Sequence, residues 1–154
     1  GALCLALQNF PSPYGLVLNG DSLFLFDLPD FIQKGLESFK QNPELEVVIA
    51  LKEMQDAKRY GLVRFDNTGL IQKFGEKEEG SGFINSGIYL IRSSLKKAIG
   101  PGSVSLENEV FQRLVREKKV AGIKENGEFL DIGTVEDYKK AQTLIPEWMT
   151  RVCK

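Results

Sequence analysis

The sequence contains no histidine, and this absence excludes several kinds of chemistry. Without an imidazole the chain has no Ser-His-Asp or Cys-His nucleophile, no histidine general base and none of the usual zinc sites. Any chemistry must therefore rest on carboxylates, lysines, hydroxyls, backbone amides and hard metal ions.

Cysteines are also scarce, and long apolar runs are absent. Cys4 and Cys153 are the only two cysteines, and they lie at opposite ends of the chain without a CxxC spacing. This pattern favours unpaired thiols in a reduced cytosol over a disulfide between the termini. No apolar run approaches the roughly 20 residues of a membrane span. We therefore expect a cytoplasmic protein that does not cross a membrane.

Net charge is close to zero, since 20 basic and 21 acidic residues leave a formal charge of −1. A nucleic-acid-binding surface of the usual basic kind is therefore not expected. The 154 residues correspond to one domain, and a hydrophobic content of 42% is sufficient for a sizeable core. Intrinsic disorder is excluded on the same grounds.

Short apolar runs alternate with helical patterns along the chain, and this alternation predicts an α/β fold. The runs at 16–18 and 46–51 are typical of buried parallel strands. Further strands are expected over residues 60–66, 70–74, 83–91, 120–124 and 129–132, and helices over 1–9, 28–40, 93–99, 105–119 and 135–144. Pro146 is expected to end the last helix and to leave a short tail that packs through Trp148.

Two aspartates follow apolar strands directly. Asp21 ends the segment Asn19-Gly20-Asp21, and Asp131 begins the segment Asp131-Ile132-Gly133-Thr134. Open α/β sheets bind ligands at the carboxyl ends of their strands, where a carboxylate suits Mg²⁺. Each segment alone is more typical of a turn. Together, however, the two carboxylates are able to converge on one cation between phosphates.

Three further polar residues allow two interpretations each. Lys77 is a potential partner for a phosphate, or it belongs to a solvated charged loop. Asn85 lies in a mostly apolar strand, so its amide needs either a sugar hydroxyl or a backbone group as partner. Glu107 is either a buried polar anchor or a carboxylate in the first turn of a helix, and its position favours the second.

Seven segments, taken in order, are similar to those of the sugar-phosphate nucleotidyltransferases. They are LNGD (18–21), RYGLV (59–63), FDNTGLIQKF (65–74), EK (76–77), INSGIYLI (84–91), SLE (105–107) and FLDIGTVEDYKKA (129–141). No single segment is specific, but their order across about residues 1–145 is. Within the family the chain most resembles the guanylyltransferases that act on D-glycero-α-D-manno-heptose 1-phosphate, followed by those that act on mannose 1-phosphate.

The resemblance implies a Rossmann-like mixed sheet and a transfer reaction. A nucleoside triphosphate, with GTP favoured, and a sugar 1-phosphate would give a nucleotide sugar and pyrophosphate. Catalysis in such a reaction consists of positioning and charge neutralisation, without a covalent intermediate. The absence of histidine is compatible with this chemistry.

The resemblance also implies roles for individual residues. Asp21 and Asp131 correspond to the catalytic pair that holds Mg²⁺. Substrate contacts would fall to Gly61, Glu76, Lys77, Asn85 and Thr134. Among these, the Glu-Lys pair would hold the sugar and its phosphate, the glycine and the asparagine would contact the sugar, and the threonine would lie beside the metal.

One part of the family pattern has no match in this sequence. The family opens with a strand and a glycine-rich loop that holds an arginine, whereas Gly1-Ala2-Leu3 resembles the helix after that nucleotide-binding part. We therefore expect the fold to lack its first βαβ portion, and the isolated chain to be inactive. An exposed sheet edge or an exposed apolar face is expected as well, and with it self-association or homo-oligomerisation. The alternatives are a sugar-phosphate-binding module and a paralogue that serves assembly only.

Overall fold

The computed structural model describes residues 2–77, 80–99 and 105–152, without the side chains of residues 76, 77 and 152. Groups of strands are interspersed with helices in this part of the chain, which confirms the α/β class. The helices are α1 (Ala2–Gln8), α2 (Leu28–Gln41), α3 (Gln112–Arg116) and α4 (Val135–Val152). The strands are β1 (Tyr14–Leu18), β2 (Ser22–Leu25), β3 (Val47–Met54), β4 (Gly61–Phe65), β5 (Ile71–Lys77), β6 (Gly82–Arg92), β7 (Val120–Glu125) and β8 (Glu128–Asp131).

The main sheet is mixed and has the strand order β5-β4-β6-β3-β7, with β1 also paired to β6. Strand β3 runs antiparallel to β6 and parallel to β7. Its residues alternate between two cores, with Val47, Ile49 and Leu51 on one face and Val48 and Ala50 on the other. A strand that is buried on both faces has no polar alternation, which is why this segment is a continuous apolar run.

The parallel pairing expected for residues 16–18 is wrong. Strand β1 is antiparallel to β6, with Tyr14 opposite Arg92. The apolar run arises because Leu16 packs against one core and Val17 against the other. Burial of this kind does not depend on the direction of the partner strand, so the pattern contains no information about direction.

The second edge of β1 carries no paired strand among the residues that the structure describes. Leu18, the last residue of β1, is 54% exposed. These features correspond to the open edge expected from the sequence. Self-association through this edge remains a prediction.

A second, two-stranded sheet contains a strand that the sequence pattern does not reveal. Strand β2 follows the turn at Asp21 and pairs antiparallel with β8, so that Ser22 lies opposite Asp131. Strand β2 has only four residues and is followed closely by α2, so it is too short to show a periodic pattern. This pairing brings together two segments that lie far apart in the sequence.

Helix α2 begins and ends close to the expected positions. The Asp27 side chain accepts a hydrogen bond from the backbone N–H of Asp30 at 3.0 Å, and Pro29 occupies the first turn. Phe31 and Phe39 are buried against the sheet. A capping aspartate, an early proline and an apolar stripe therefore suffice to define this helix.

A π-helical segment, Leu106–Phe111, directly precedes α3. Ser105 accepts a hydrogen bond from the Asn108 N–H at 3.2 Å, and Glu109 accepts one from the Ser105 N–H at 2.9 Å. The capping box is therefore closed by a glutamate four residues after the serine instead of three.

The expected end of the last helix at Pro146 is also wrong, because α4 continues through this proline to Val152. Trp148 is only 5% exposed and packs with Leu130 and Ala141. A proline inside a helix costs about 3 kcal/mol, whereas full burial of a large apolar side chain returns a similar amount. Packing of this segment against the body, which the sequence predicts, is confirmed.

None of the helices in the described residues combines the length and the apolar character that a membrane crossing needs. Cys4 is a free thiol that packs beside the main core. Cys153 lies outside the described residues.

Candidate active site

The fold places Asp21 and Asp131 next to each other although they lie far apart in sequence. Asp21 ends the turn before β2, and Asp131 is the last residue of β8. The backbone N–H of Ile132 donates to the carbonyl oxygen of Asp21 at 2.8 Å, and Ser22 lies opposite Asp131 in the ladder. The turn and the strand end thus form one acidic corner.

Each of these carboxylates keeps one oxygen without a hydrogen bond from the described residues. Oδ1 of Asp21 accepts from the Ser22 hydroxyl at 3.3 Å, and Oδ1 of Asp131 accepts from the Gly133 N–H at 2.7 Å. Both Oδ2 atoms are therefore available to an additional partner. The corner can hold a cation or accept hydrogen bonds from a ligand.

The acidic corner opens into a cavity of about 310 Å³. Gly61 and Asn85 line this cavity together with Asp21 and Asp131. A second cavity of about 620 Å³ adjoins the first, because Gly61, Asn85 and Glu107 line both. Four of the seven site residues that the family resemblance implies therefore line one pocket.

Asn85 belongs to a hydrogen-bond network that extends below the cavity. Its Oδ1 accepts from the Gly87 N–H at 3.0 Å, and its Nδ2 donates to the Tyr89 hydroxyl at 3.0 Å and to Glu107 Oε1 at 3.2 Å. Tyr89 in turn donates to the same Glu107 oxygen at 2.6 Å. Burial of Tyr89, together with the nearby Glu107 carboxylate, raises the pKa of its hydroxyl, which therefore stays neutral and donates.

Glu107 is a carboxylate in the first turn of its helix, as the sequence favours, and it also anchors two residues of β6. The residue is exposed, but its carboxylate holds Tyr89 and Asn85 rather than an N–H of its own first helical turn. Periodicity gives no signal for this contact, because Asn85 and Tyr89 lie on strand β6, far from this helical turn in sequence. The segment SLE (105–107), which takes part in the family resemblance, was the only available sign.

Arg59 and Tyr60 also reach this site, and sequence reasoning assigns them no role. Arg59 Nη1 pairs with Asp137, and its Nη2 lies 3.7 Å from Oδ1 of Asp131. Tyr60 packs edge-on against Phe129, and burial together with the charge of Asp131 raises the pKa of its hydroxyl. Because the Arg59 guanidinium lies close to Asp131, it offsets part of the negative charge of the acidic corner.

Thr134 caps α4 and is not among the residues that line the cavity. Its hydroxyl accepts from the Asp137 N–H at 3.2 Å and donates to the Asp137 carboxylate at 2.6 Å. This cap begins the helix that the sequence predicts from residue 135, and a contact of Thr134 with substrate stays a prediction.

Glu76 and Lys77 cannot be placed in the same way, because their side chains lie outside the described structure. The backbone of Lys77 is nevertheless defined in β5, where its Cα lies opposite that of Gly61. Position 77 is therefore next to a residue that lines both cavities.

The acidic corner fits a divalent cation with hard oxygen ligands. In residues 2–77, 80–99 and 105–152 no group of three or more acidic, histidine or cysteine side chains is arranged to hold a metal alone. Two carboxylates are the number that Mg²⁺ takes from a protein when phosphate oxygens and water complete its shell. The donors present thus match a cation that binds together with a phosphorylated substrate.

The Nucleotidyl transferase family model matches residues 1–147. The mannose-1-phosphate guanylyltransferase catalytic subunit beta of Drosophila pseudoobscura pseudoobscura is 32% identical over 90% of this chain and 37% of its own length. The D-glycero-alpha-D-manno-heptose 1-phosphate guanylyltransferase of Aneurinibacillus thermoaerophilus is 29% identical over 92% of this chain and 60% of its own length. The chain thus spans less than two thirds of each relative.

Solved structures of other proteins share the fold of this chain. HddC from Yersinia pseudotuberculosis superimposes with a TM-score of 0.77 at 26% identity, covering 91% of this chain and 59% of that one. The same protein complexed with GMP-PN gives a TM-score of 0.74. Because the family model matches nearly the whole chain and the fold agrees with that of HddC, the protein is a member of the nucleotidyl transferase family.

Proposed function

We propose that this chain forms the sugar-binding and metal-binding portion of a sugar-1-phosphate nucleotidyltransferase. The observation that carries the proposal is the convergence of Asp21 and Asp131 at a cavity that Gly61 and Asn85 also line. GTP is the favoured nucleotide, because the relatives quoted above are named guanylyltransferases. A mannose or a manno-heptose 1-phosphate is the favoured acceptor for the same reason.

In this reaction a phosphate oxygen of the sugar 1-phosphate attacks the α-phosphorus of the nucleotide. The new phosphorus–oxygen bond forms as the bond to the bridging oxygen breaks, and pyrophosphate leaves with that electron pair. Mg²⁺, when bound, neutralises charge on the phosphates. No protein side chain needs to form a covalent bond, which agrees with a site without histidine or a cysteine nucleophile.

The residues of the chain would share this work in three ways. Asp21 and Asp131 would hold Mg²⁺ through their uncommitted oxygens. Gly61 and Asn85 would form the sugar side of the pocket, and Glu76 and Lys77 would hold the sugar and its phosphate. Thr134, which caps α4 three residues after Asp131, would lie beside the metal site.

Calorimetry of the 154-residue chain with α-D-mannose 1-phosphate, with and without Mg²⁺, tests the proposal. We expect Mg²⁺ to strengthen binding in the wild type and to have no effect in Asp131→Asn. Glu128→Gln is the matched control, because Glu128 lies at the other end of β8 and pairs with Arg151. A Mg²⁺ effect that persists in Asp131→Asn would contradict the metal assignment.

Turnover is measured on the protein as its gene encodes it, by the release of pyrophosphate from GTP and the same sugar phosphate. Asp21→Ala and Asp131→Ala are each expected to abolish turnover with little loss of folding. Sugar-phosphate binding without turnover in the complete gene product would favour the non-catalytic binding module instead.

A further inference from the structure

The two carboxylate oxygens of Glu107 differ in their surroundings. Oε1 accepts hydrogen bonds from Tyr89 and from Asn85, whereas Oε2 has no protein partner among the described residues. Glu107 is exposed and lines both cavities at the boundary between them. The network therefore immobilises one oxygen and leaves the other available to a ligand.

The Asn85 amide can be oriented in only one way in this network. The Gly87 N–H donates to Oδ1, so the NH₂ group must point toward Glu107 and Tyr89. An amide NH₂ group has two N–H donors, and both are used here. Asn85 therefore has no donor for a ligand, and its Oδ1 keeps only acceptor capacity.

Tyr89 holds the same carboxylate from the buried side of the network. Its side chain is fully buried, and a buried hydroxyl needs a hydrogen-bond partner. Glu107 supplies that partner at 2.6 Å. The position of the glutamate is thus tied to the core of the sheet, although its own helical turn lies at the surface.

We propose that Glu107 recognises a hydroxyl group of the sugar by accepting its hydrogen bond through Oε2, with Asn85 and Tyr89 as positioning residues. This inference rests on the proposed function, because it assumes a sugar phosphate in the two cavities. Hydroxyl groups are the donors that a sugar offers, and a carboxylate is the strongest acceptor for them. A site built in this way rejects analogues that lack the hydroxyl.

Calorimetry with Mg²⁺, α-D-mannose 1-phosphate and its monodeoxy analogues tests the proposal. In Glu107→Gln the amide oxygen can still accept from Tyr89 and Asn85, while an NH₂ group replaces Oε2. We expect this variant to bind the parent sugar phosphate about 10- to 100-fold more weakly. One deoxy analogue should lose the same factor with the wild type and nothing further with the variant.

Glu109→Gln is the matched control, because it changes a glutamate in the same turn that caps Ser105 and lies outside both cavities. It should bind every analogue as the wild type does. Tyr89→Phe keeps the carboxylate but removes its support, so it should weaken binding of the parent several-fold and reduce the discrimination against the same analogue. A merely structural tyrosine would lower thermal stability and leave that discrimination unchanged.

Unchanged affinity in Glu107→Gln, or unchanged discrimination among the analogues, would overturn the inference and leave the proposed function standing. A wild type that binds none of the sugar phosphates would overturn both, and this result is visible before any variant is made. Circular dichroism of each variant separates loss of the contact from loss of the fold. Should Glu107→Gln unfold, the pattern in Tyr89→Phe decides the question.

Discussion

The backbone N–H of Asn19 donates to the carbonyl oxygen of Gly87 at 2.8 Å, and the Asn19 side chain fills the space beside this glycine. A Cβ atom at position 87 would lie only 2.8 Å from Asn19 Nδ2, and the φ angle of Gly87 is +79°. The glycine therefore allows the turn from Asn19 to Asp21 to pack against β6. It also orients the N–H that holds the Asn85 amide.

Gly87→Ala should consequently destabilise the protein by about 2 to 4 kcal/mol, from backbone strain and overpacking together. Urea unfolding monitored by circular dichroism measures the loss. Gly20→Ala is the control, because a Cβ atom there has no neighbour within 4 Å. Equal stability of the two variants would show that the close approach of Asn19 is unimportant.

The second prediction concerns the stability of the protein in acid. The Thr134 hydroxyl and the Arg59 guanidinium hold the pKa of Asp137 below its ordinary value of 3.8. Because the folded state favours the ionised carboxylate, the stabilisation is full well above the ordinary pKa and is lost as the pH falls through the lower pKa of the folded state. The melting temperature of the wild type should therefore exceed that of Asp137→Asn at neutral pH, and the difference should shrink in acid.

Glu136→Gln provides the control for this pH dependence. It removes a carboxylate from the same helical turn, but Glu136 pairs with Lys140 at the surface and contacts neither Thr134 nor Arg59. A difference between the wild type and Asp137→Asn that does not change with pH would contradict the assignment to Asp137.

The third prediction tests the continuation of α4 beyond Pro146. Trp148→Ala should cost about 3 kcal/mol, because it removes a large side chain from a packed cluster. Met149→Ala should change stability by less than about 0.5 kcal/mol, since Met149 is 51% exposed. Similar effects of the two substitutions in thermal unfolding would mean that this segment does not dock.

The fourth prediction concerns the open edge of β1. The chain should self-associate in a concentration-dependent way, measurable by light scattering coupled to size exclusion. Leu18→Lys should reduce this association without loss of stability, because Leu18 is 54% exposed and charged residues protect sheet edges. A monomeric wild type at high concentration would refute the prediction.

The sequence predicts those elements whose signals are local. Asp27 with Pro29 defines the start of α2, and the glycine at position 69, with a φ of 84°, closes the turn between the two expected strands β4 and β5. Thr134 likewise caps α4 as expected. In each of these cases the residues that specify the structure lie within a few positions of one another.

The features that sequence reasoning misses depend on distant partners. Strand β2 exists because β8 pairs with it, and α4 passes through Pro146 because Trp148 is buried. Glu107 contacts a strand that precedes it by many residues. Local propensity cannot include the free energy of contacts whose partners depend on the fold.

The pairing of β2 with β8 links occupancy of the site to the integrity of the last part of the chain. Among the described residues β2 has no other strand partner, and the cluster around Trp148 packs against Leu23 and Leu25 of this strand. A ligand bound between Asp21 and Asp131 would therefore hold α4 in place by mass action. Conversely, fraying of the C-terminal helix would weaken binding, so protection of its amides from hydrogen exchange reports ligand affinity from a remote position.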